Sequence, residues 1–187
     1  MEYKESEVIE ATQKYFNGDE LATSVWVNKY ALRDKDGKWL EKTPRDMHVR
    51  LAKELARIED KYPNPLSHFT IFGLLDNYKY VVLQGSPMSG IGNDHQVQSL
   101  SNCFTLAPPY DSYGGILKTD QEMVQLMKRR GGVGFDMSNI RPKDMTTNNA
   151  ARTTDGIACF LERYSNSTRE VAQNGRRGAL MLTISIH

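Results

Sequence analysis

Cysteine is scarce in this sequence, and long hydrophobic runs are absent from it. Only Cys103 and Cys159 occur among 187 residues, without CxxC spacing, which argues against a disulfide framework and against a four-ligand zinc site. We expect both as free thiols in a reducing compartment. The longest apolar runs, 80–83 and 179–186, are far too short to cross a bilayer, and the charged start MEYKESEVIE does not have the form of a secretory signal. We therefore expect a cytoplasmic protein without a membrane partner.

The sequence also lacks a large excess of positive or negative charge. The 24 Lys and Arg residues nearly balance the 23 Asp and Glu residues, for a net charge of +1. A global field that attracts nucleic acid is therefore not expected, and any anion site must be local. The hydrophobic share of 39% suits a water-soluble globular protein, and the length suffices for one sizeable domain or two small ones.

The first part of the chain is predicted to be helical. Apolar residues recur at helical spacing over residues 5–16, 43–58 and 67–76. The second of these helices has the clearest start, because a threonine cap, a proline and an aspartate precede its apolar stripe. Residues 80–84 are predicted to form a strand, and residues 85–94 a loop over a pocket or surface.

From residue 100 the order strand, helix, strand, helix, strand is typical of an α/β unit. The three strands are predicted at residues 100–106, 134–140 and 179–186. The last is apolar enough for a strand that is covered on both faces, so we expect the chain to be the amino-terminal piece of a larger α/β protein. The predicted domains are a helical domain over residues 1–84 and an incomplete α/β domain over residues 85–187.

Capping signals predict where the helices of the second part begin. Thr119 and Glu122 have the spacing of a capping box, and Thr154 or Asp155 is the predicted cap of the following helix. The polar segment 141–154 lacks periodicity and is predicted to be a long loop, which in a compact domain is usually functional or mobile.

Several segments together resemble one family. SLSNCF, APPYDSYGGI, KRRGGVGFDMSNIRP and ERYSNSTREVAQNGRRGALMLTISIH follow one another in this order, and they closely resemble the amino-terminal part of the ribonucleotide reductase catalytic subunit. WVNKYAL, TPRDMHVRLAKELARIE and QGSPMSG resemble it too. The resemblance implies a helical domain followed by the first strands of a ten-stranded α/β barrel. It also implies an enzyme that reduces ribonucleotides to deoxyribonucleotides by radical chemistry.

The resemblance assigns a redox role to one cysteine. Cys103 matches the family cysteine that donates electrons to the substrate and forms a disulfide with a partner on a later strand. Without the resemblance, a buried structural cysteine would be the more frequent case. Cys159 matches no redox position and is interpreted as a core residue of its helix.

The same resemblance implies a substrate site and an effector site. The candidate residues for a ribonucleoside diphosphate or triphosphate substrate are Ser86, Ser89, Asn102, Gly132 and Arg177. The candidates for an allosteric dNTP or ATP effector, bound at a homodimer interface, are Asp111, Ser112, Arg141 and Gln173. Residues 141–154 and 173–178 would be the two specificity loops. On local chemistry alone, an ordinary turn, a solvated arginine and a tight glycine turn remain the alternatives.

The family places its radical cysteine and second redox cysteine on later strands, which this sequence does not contain. We therefore expect this chain alone to be inactive, with the carboxy-terminal part of the subunit as a required partner. The family's amino-terminal ATP cone is not apparent. The radical source is either adenosylcobalamin or a separate metal-containing subunit, and the style of the motifs favours the cobalamin-dependent group.

Two other functions stay open on the sequence. The basic residues at 128–130 and 176–177 could form an anion or nucleic-acid surface of a binding module. An unrelated stand-alone structural domain is the third alternative. A binding module predicts affinity that falls steeply with salt, whereas the reductase hypothesis predicts nucleoside triphosphate binding that depends on Asp111 and Arg141.

Overall fold

The computed structural model of the chain describes residues 2–173 and 176–186, and of residues 172, 173, 176 and 177 it describes the backbone. The chain divides into two compact units, Met1–Leu100 and Ser101–His187. The domain boundary after residue 84 stays a prediction. No helix within the described residues is long and apolar enough to cross a membrane.

The first unit is built from helices. Their bounds are Glu5–Tyr15 (α1), Glu20–Lys29 (α2), Pro44–Glu59 (α3), His68–Leu75 (α4) and Gly85–Gly90 (α5). The predicted helices at residues 5–16, 43–58 and 67–76 are confirmed as α1, α3 and α4. Helix α2 was not predicted, although Asp19 caps it by accepting a hydrogen bond from the backbone N–H of Ala22 at 2.9 Å.

The core of the first unit gathers around α3. The Thr43 backbone N–H donates to Asp46 Oδ2 at 3.0 Å, which completes the capping box before the buried face begins. That face packs Met47 and Leu51 against residues of α1, α2 and α4. The central buried residues are Val8, Trp26, Met47, Leu51 and Ile71.

Two predictions for the end of this unit are wrong. Residues 80–84 form no strand, because no neighbouring segment of the described chain pairs with them and Tyr80 and Val82 are exposed. The backbone N–H of Val81 donates to the carbonyl of Leu74 at 3.0 Å instead. The predicted loop at 85–94 begins with the helix α5, where the Met88 N–H donates to the carbonyl of Gln84 at 3.0 Å.

The second unit is α/β, as predicted. Its elements are β1 (Cys103–Thr105), α6 (Tyr113–Met127), β2 (Gly132–Asp136), α7 (Ile157–Glu170), β3 (Ala172–Gln173), β4 (Arg176–Arg177) and β5 (Leu180–Thr183). Strands β1, β2 and β5 form a parallel sheet in that order, and β3 pairs antiparallel with β4. Helices α6 and α7 are the crossovers, which parallel neighbours require.

One tyrosine fastens α7 to α6. The hydroxyl of Tyr164 donates to the carbonyl of Ile116 at 3.0 Å, and its ring meets the ring of Phe135 edge-on at a centroid distance of 5.0 Å. Burial raises the pKa of Tyr164 to about 12. The hydroxyl therefore stays a hydrogen-bond donor throughout the physiological pH range.

Both predicted helix starts in this unit are wrong. Ser112, not Thr119, caps α6, and its hydroxyl accepts from the backbone N–H of Gly115 at 3.1 Å. Thr119 lies buried within the helix. Helix α7 begins after Gly156, whose φ of 79° is favourable only for glycine. The hydroxyl of Thr154 accepts from the Gly156 N–H at 3.1 Å, so it stabilises the turn before the helix.

The expected burial of the last strand is not observed in this chain. Strand β5 pairs with β2 on one side, and the Met181 side chain is 72% exposed. The core interpretation of Cys159 is also wrong, because this cysteine is exposed. Its thiol donates to the carbonyl of Gly156 at 3.1 Å, in the first turn of α7.

Candidate functional site

Cys103 opens the first strand of the parallel sheet. It lies opposite Gly132 of β2, and the Gly132 N–H donates to the carbonyl of Asn102 at 2.6 Å. The ladder therefore brings together three of the predicted site residues. The Cys103 side chain is exposed, so it is not a buried structural cysteine.

A cavity of about 350 Å³ lies across this sheet beside Cys103. All three strands line it, with Cys103 and Thr105 from β1, Gly134 from β2 and Met181 from β5. The volume is that of a small-molecule site. A Cβ atom on Gly132 would lie 3.2 Å from the carbonyl oxygen of Asn102. The glycine therefore permits a close approach of the strands that other residues would hinder.

Asp136 and Thr183 join the carboxyl ends of β2 and β5. The hydroxyl of Thr183 donates to Asp136 Oδ1 at 3.1 Å, and the hydroxyl of Ser138 donates to the same oxygen at 2.8 Å. The hydrogen bond from Ser138 is the main reason that the pKa of Asp136 lies below its usual value. The carboxylate thus stays ionised as an acceptor that fixes the spacing of these strand ends.

A second cavity is lined by the segments that follow β1 and β2 and by the first turns of α6 and α7, and ligands of parallel sheets commonly bind at such segments. Its volume is about 390 Å³, and Asp111, Ser112 and Arg141 all line it. Arg141 Nε donates to Asp111 Oδ2 at 2.5 Å, and Arg141 Nη1 donates to the carbonyl of Thr146 at 2.8 Å. The structure thus unites three of the four predicted effector residues, which are up to 30 positions apart in sequence.

The predicted loop over residues 141–154 is confirmed, and it folds into a short hairpin beside this cavity. Thr146 and Thr153 form an antiparallel bridge, and the Thr147 N–H donates to the carbonyl of Arg152 at 2.8 Å. Asn149 Oδ1 accepts from the N–H of Ala151 at 3.0 Å. The loop is therefore ordered by its own backbone bonds and presents amide and hydroxyl groups to the cavity.

Sequence reasoning missed an aromatic pair at the same cavity. Tyr113 and Phe160 both line it, and their rings meet edge-on at a centroid distance of 5.9 Å. Phe160 lies in the first turn of α7. The signal that could have identified Tyr113 was its position next to Ser112. A carboxylate, a guanidinium and aromatic rings in one cavity suit a ligand with hydroxyl groups, phosphates and a flat ring.

The other candidates lie on other elements of the two units. Ser86 and Ser89 are buried in α5 of the first unit, where the Ser89 hydroxyl donates to the carbonyl of Gly85 at 3.0 Å. Gln173 lies on β3 and Arg177 on β4, and this antiparallel pair overlaps the predicted specificity loop 173–178. Residues 174 and 175 of that loop lie outside the described residues.

Metal ligands are not clustered in the described part of the chain. Residues 2–173 and 176–186 contain no group of three or more His, Cys, Asp or Glu side chains that could hold a metal ion. The reactive or charged side chains that line the two cavities include the thiol of Cys103 in the first, and the Asp111 carboxylate and the Arg141 guanidinium in the second.

Two family models match the chain. "Ribonucleotide reductase, all-alpha domain" matches residues 16–96, and "Ribonucleotide reductase, barrel domain" matches residues 101–187. Together they cover most of both structural units.

Individual relatives agree with these models. A vitamin B12-dependent ribonucleoside-diphosphate reductase of Mycobacterium tuberculosis is 31% identical over 170 residues, which cover 88% of this chain and 24% of the relative. The ribonucleoside-diphosphate reductase subunit alpha of Helicobacter pylori is 25% identical over 175 residues, or 93% of this chain and 21% of the relative. The large chain 2 of the Saccharomyces cerevisiae enzyme is 30% identical over 110 residues, or 58% of this chain and 12% of the relative. The chain thus spans about a quarter or less of the length of these relatives.

Proposed function

Because the chain belongs to the ribonucleotide reductase large-subunit family, with the all-alpha domain and the start of the barrel domain, we propose that it supplies one redox thiol and the effector site of a ribonucleotide reductase. The observation that carries the proposal is the exposed thiol of Cys103 beside a cavity of about 350 Å³. A thiol that delivers hydrogen to a ribose must be accessible and must be held on a rigid element.

The proposed redox step uses Cys103 and a second cysteine of the enzyme. The two thiols give up two electrons and two protons and become a disulfide. The 2′-hydroxyl of the substrate leaves as water, and a hydrogen takes its place on the carbon. The register of Cys103 opposite Gly132 supports this role, because both residues line the cavity.

The radical source is a proposal drawn from the relatives. The Mycobacterium tuberculosis protein is named vitamin B12-dependent, which favours adenosylcobalamin over a separate metal-containing subunit. Either group would supply the radical that starts the reaction. We assign this chain no step that passes through either group.

The effector site is proposed at the cavity of Asp111, Ser112 and Arg141. The guanidinium of Arg141 suits phosphate oxygens, and the Asp111 carboxylate can accept from ribose hydroxyls. Residues of the loop 141–154 line the cavity, and we propose that a dNTP or ATP bound there, with Gln173 as a further contact, controls the choice of substrate in a homodimer. The alternative of a nucleic-acid module would use basic residues such as Arg129, whose guanidinium donates to the carbonyl of Gln125 at 2.7 Å just after the end of α6.

Nucleotide binding by the 187-residue chain tests the effector site. Calorimetric titration with dATP and dTTP is expected to give saturable binding, and Arg141→Gln is expected to weaken it by about tenfold or more, since charge-assisted bonds to phosphate are lost. Arg129→Gln is the matched control and should leave the affinity unchanged. Equal losses in both variants would point to a general basic surface.

Turnover by the assembled enzyme tests the thiol. Cys103→Ser is expected to abolish deoxyribonucleotide formation, because serine cannot form the disulfide. Cys159→Ser is the matched control, since this cysteine is also exposed but lies on α7. Full activity of the Cys103→Ser enzyme would refute the redox role.

A further inference from the structure

The guanidinium that the proposed effector site offers to phosphate is already engaged. Its Nε–H donates to Asp111 Oδ2 at 2.5 Å, and its Nη1 donates to the Thr146 carbonyl at 2.8 Å. A single side chain, Arg141, thereby connects the segment before α6 with the loop after β2. The groups that would recognise ribose and phosphate are bound to each other.

The Asp111–Arg141 ion pair is open to competition. About a third of each side chain is exposed, 33% for Arg141 and 32% for Asp111. Ion pairs at such exposure stabilise a fold weakly, because water and salt screen them. A ligand that satisfies both side chains can therefore replace the pair.

We propose that the Asp111–Arg141 ion pair is the closed state of the effector site, and that a nucleoside triphosphate opens it by binding both partners. This inference rests on the proposed function. Phosphate oxygens take the Arg141 guanidinium, and ribose hydroxyls donate to the Asp111 carboxylate. The whole ligand compensates both side chains, whereas a polyphosphate without a nucleoside leaves Asp111 uncompensated.

Replacement of the Asp111–Arg141 ion pair by the ligand, here called the exchange, also affects the loop 141–154. When Arg141 turns to a phosphate, the Thr146 carbonyl loses its bond from Nη1. Thr146 begins the hairpin that closes at Thr153. Ligand binding at Arg141 is therefore coupled to the loop 141–154 by one side chain.

Inorganic tripolyphosphate is the probe, because it offers the phosphates of a nucleoside triphosphate without the ribose and the base. In the full chain, Asp111→Asn releases Arg141, so tripolyphosphate is expected to bind about threefold to tenfold more tightly by calorimetry. Asp144→Asn is the matched control, because it removes the same charge three positions from Arg141 and forms no ion pair with a described residue. The φ of 66° at residue 144 suits asparagine.

The Asp144→Asn control distinguishes the loss of the Asp111–Arg141 ion pair from the loss of any one negative charge near Arg141. A gain for Asp111→Asn with a change of less than about twofold for Asp144→Asn supports the exchange. Equal gains in both variants, or no gain in either, overturn it. Circular dichroism verifies that each variant is folded.

A measurement on the unaltered chain avoids any folding defect. The Nε–H resonance of Arg141, identified by its loss in Arg141→Lys, should shift on saturation with tripolyphosphate. Bound tripolyphosphate without a shift of this resonance overturns the exchange.

Parallel titrations with dATP and dTTP separate the two proposals. If both nucleotides bind the unaltered chain but Asp111→Asn shows no gain for tripolyphosphate, only the exchange is refuted. If neither nucleotide binds the unaltered chain or the variant, the proposed effector site is refuted, and the exchange with it.

Discussion

The imidazole ring of His48 stands edge-on against the ring of Tyr78, with centroids 4.6 Å apart and an interplanar angle of 78°. His48 is buried on α3, and its Nδ1 has no hydrogen-bond partner among the described residues. Burial lowers the pKa of His48, and the nearby charge of Asp76 opposes that shift only in part. The folded first unit therefore prefers the neutral imidazole.

This preference predicts acid sensitivity of the first unit. A histidine whose folded pKa is depressed contributes stability that is complete above its unfolded pKa of about 6.5 and declines as the pH falls below it. In urea unfolding, the free energy of unfolding should decrease from pH 7 to pH 5, by at most about 1.4 kcal/mol per pH unit. Both tryptophans lie in the first unit, so their fluorescence reports its unfolding. His48→Gln should reduce this slope, and the exposed His68→Gln should not.

A buried ion pair is expected to stabilise the first unit. Arg50 Nε donates to Glu41 at 2.7 Å, with side chains only 11% and 5% exposed. Because Glu41→Gln leaves a buried guanidinium uncompensated, it should lower the free energy of unfolding by about 3–5 kcal/mol. Urea unfolding followed by tryptophan fluorescence measures the loss. The exposed pair Glu54–Arg57 on the same helix supplies the control, and Glu54→Gln should have no measurable effect.

We predict that replacing Gly156, at the start of α7, destabilises the second unit. Its φ is 79°, and an added Cβ would overlap the backbone of Lys143. Gly156→Ala should therefore destabilise the second unit by about 1–3 kcal/mol in urea unfolding followed by circular dichroism. At Gly134 an added Cβ would make an ordinary contact at 3.5 Å. A loss for Gly134→Ala as large as that for Gly156→Ala would contradict this explanation.

The exposure of both cysteines predicts their reactivity. In the native chain, a thiol reagent such as DTNB should modify two thiols, and Cys103→Ser or Cys159→Ser should each leave one. Because accessible thiols react without unfolding, the rates should not change in low urea. A thiol that reacts only after unfolding would contradict the structure at that residue.

Local chemistry determined the elements whose signals lie within a few residues. The threonine cap and proline before α3, and the apolar spacing within it, predicted that helix because caps and stripes act between neighbours in sequence. The alternation of strands and helices likewise predicted the α/β unit. The thiol of Cys103 and the pair of Asp111 and Arg141 were candidates because their motifs resemble one family.

Tertiary structure decided everything that depends on distant partners. Ser112 rather than Thr119 caps α6, residues 80–84 lack a strand partner, and Cys159 is exposed although its neighbours in sequence are apolar. The ion pair of Arg141 with Asp111 and the bond from Thr183 to Asp136 join residues 30 and 47 positions apart. Such contacts arise only when the sheet assembles, because the strand ladder sets which side chains meet at its carboxyl ends.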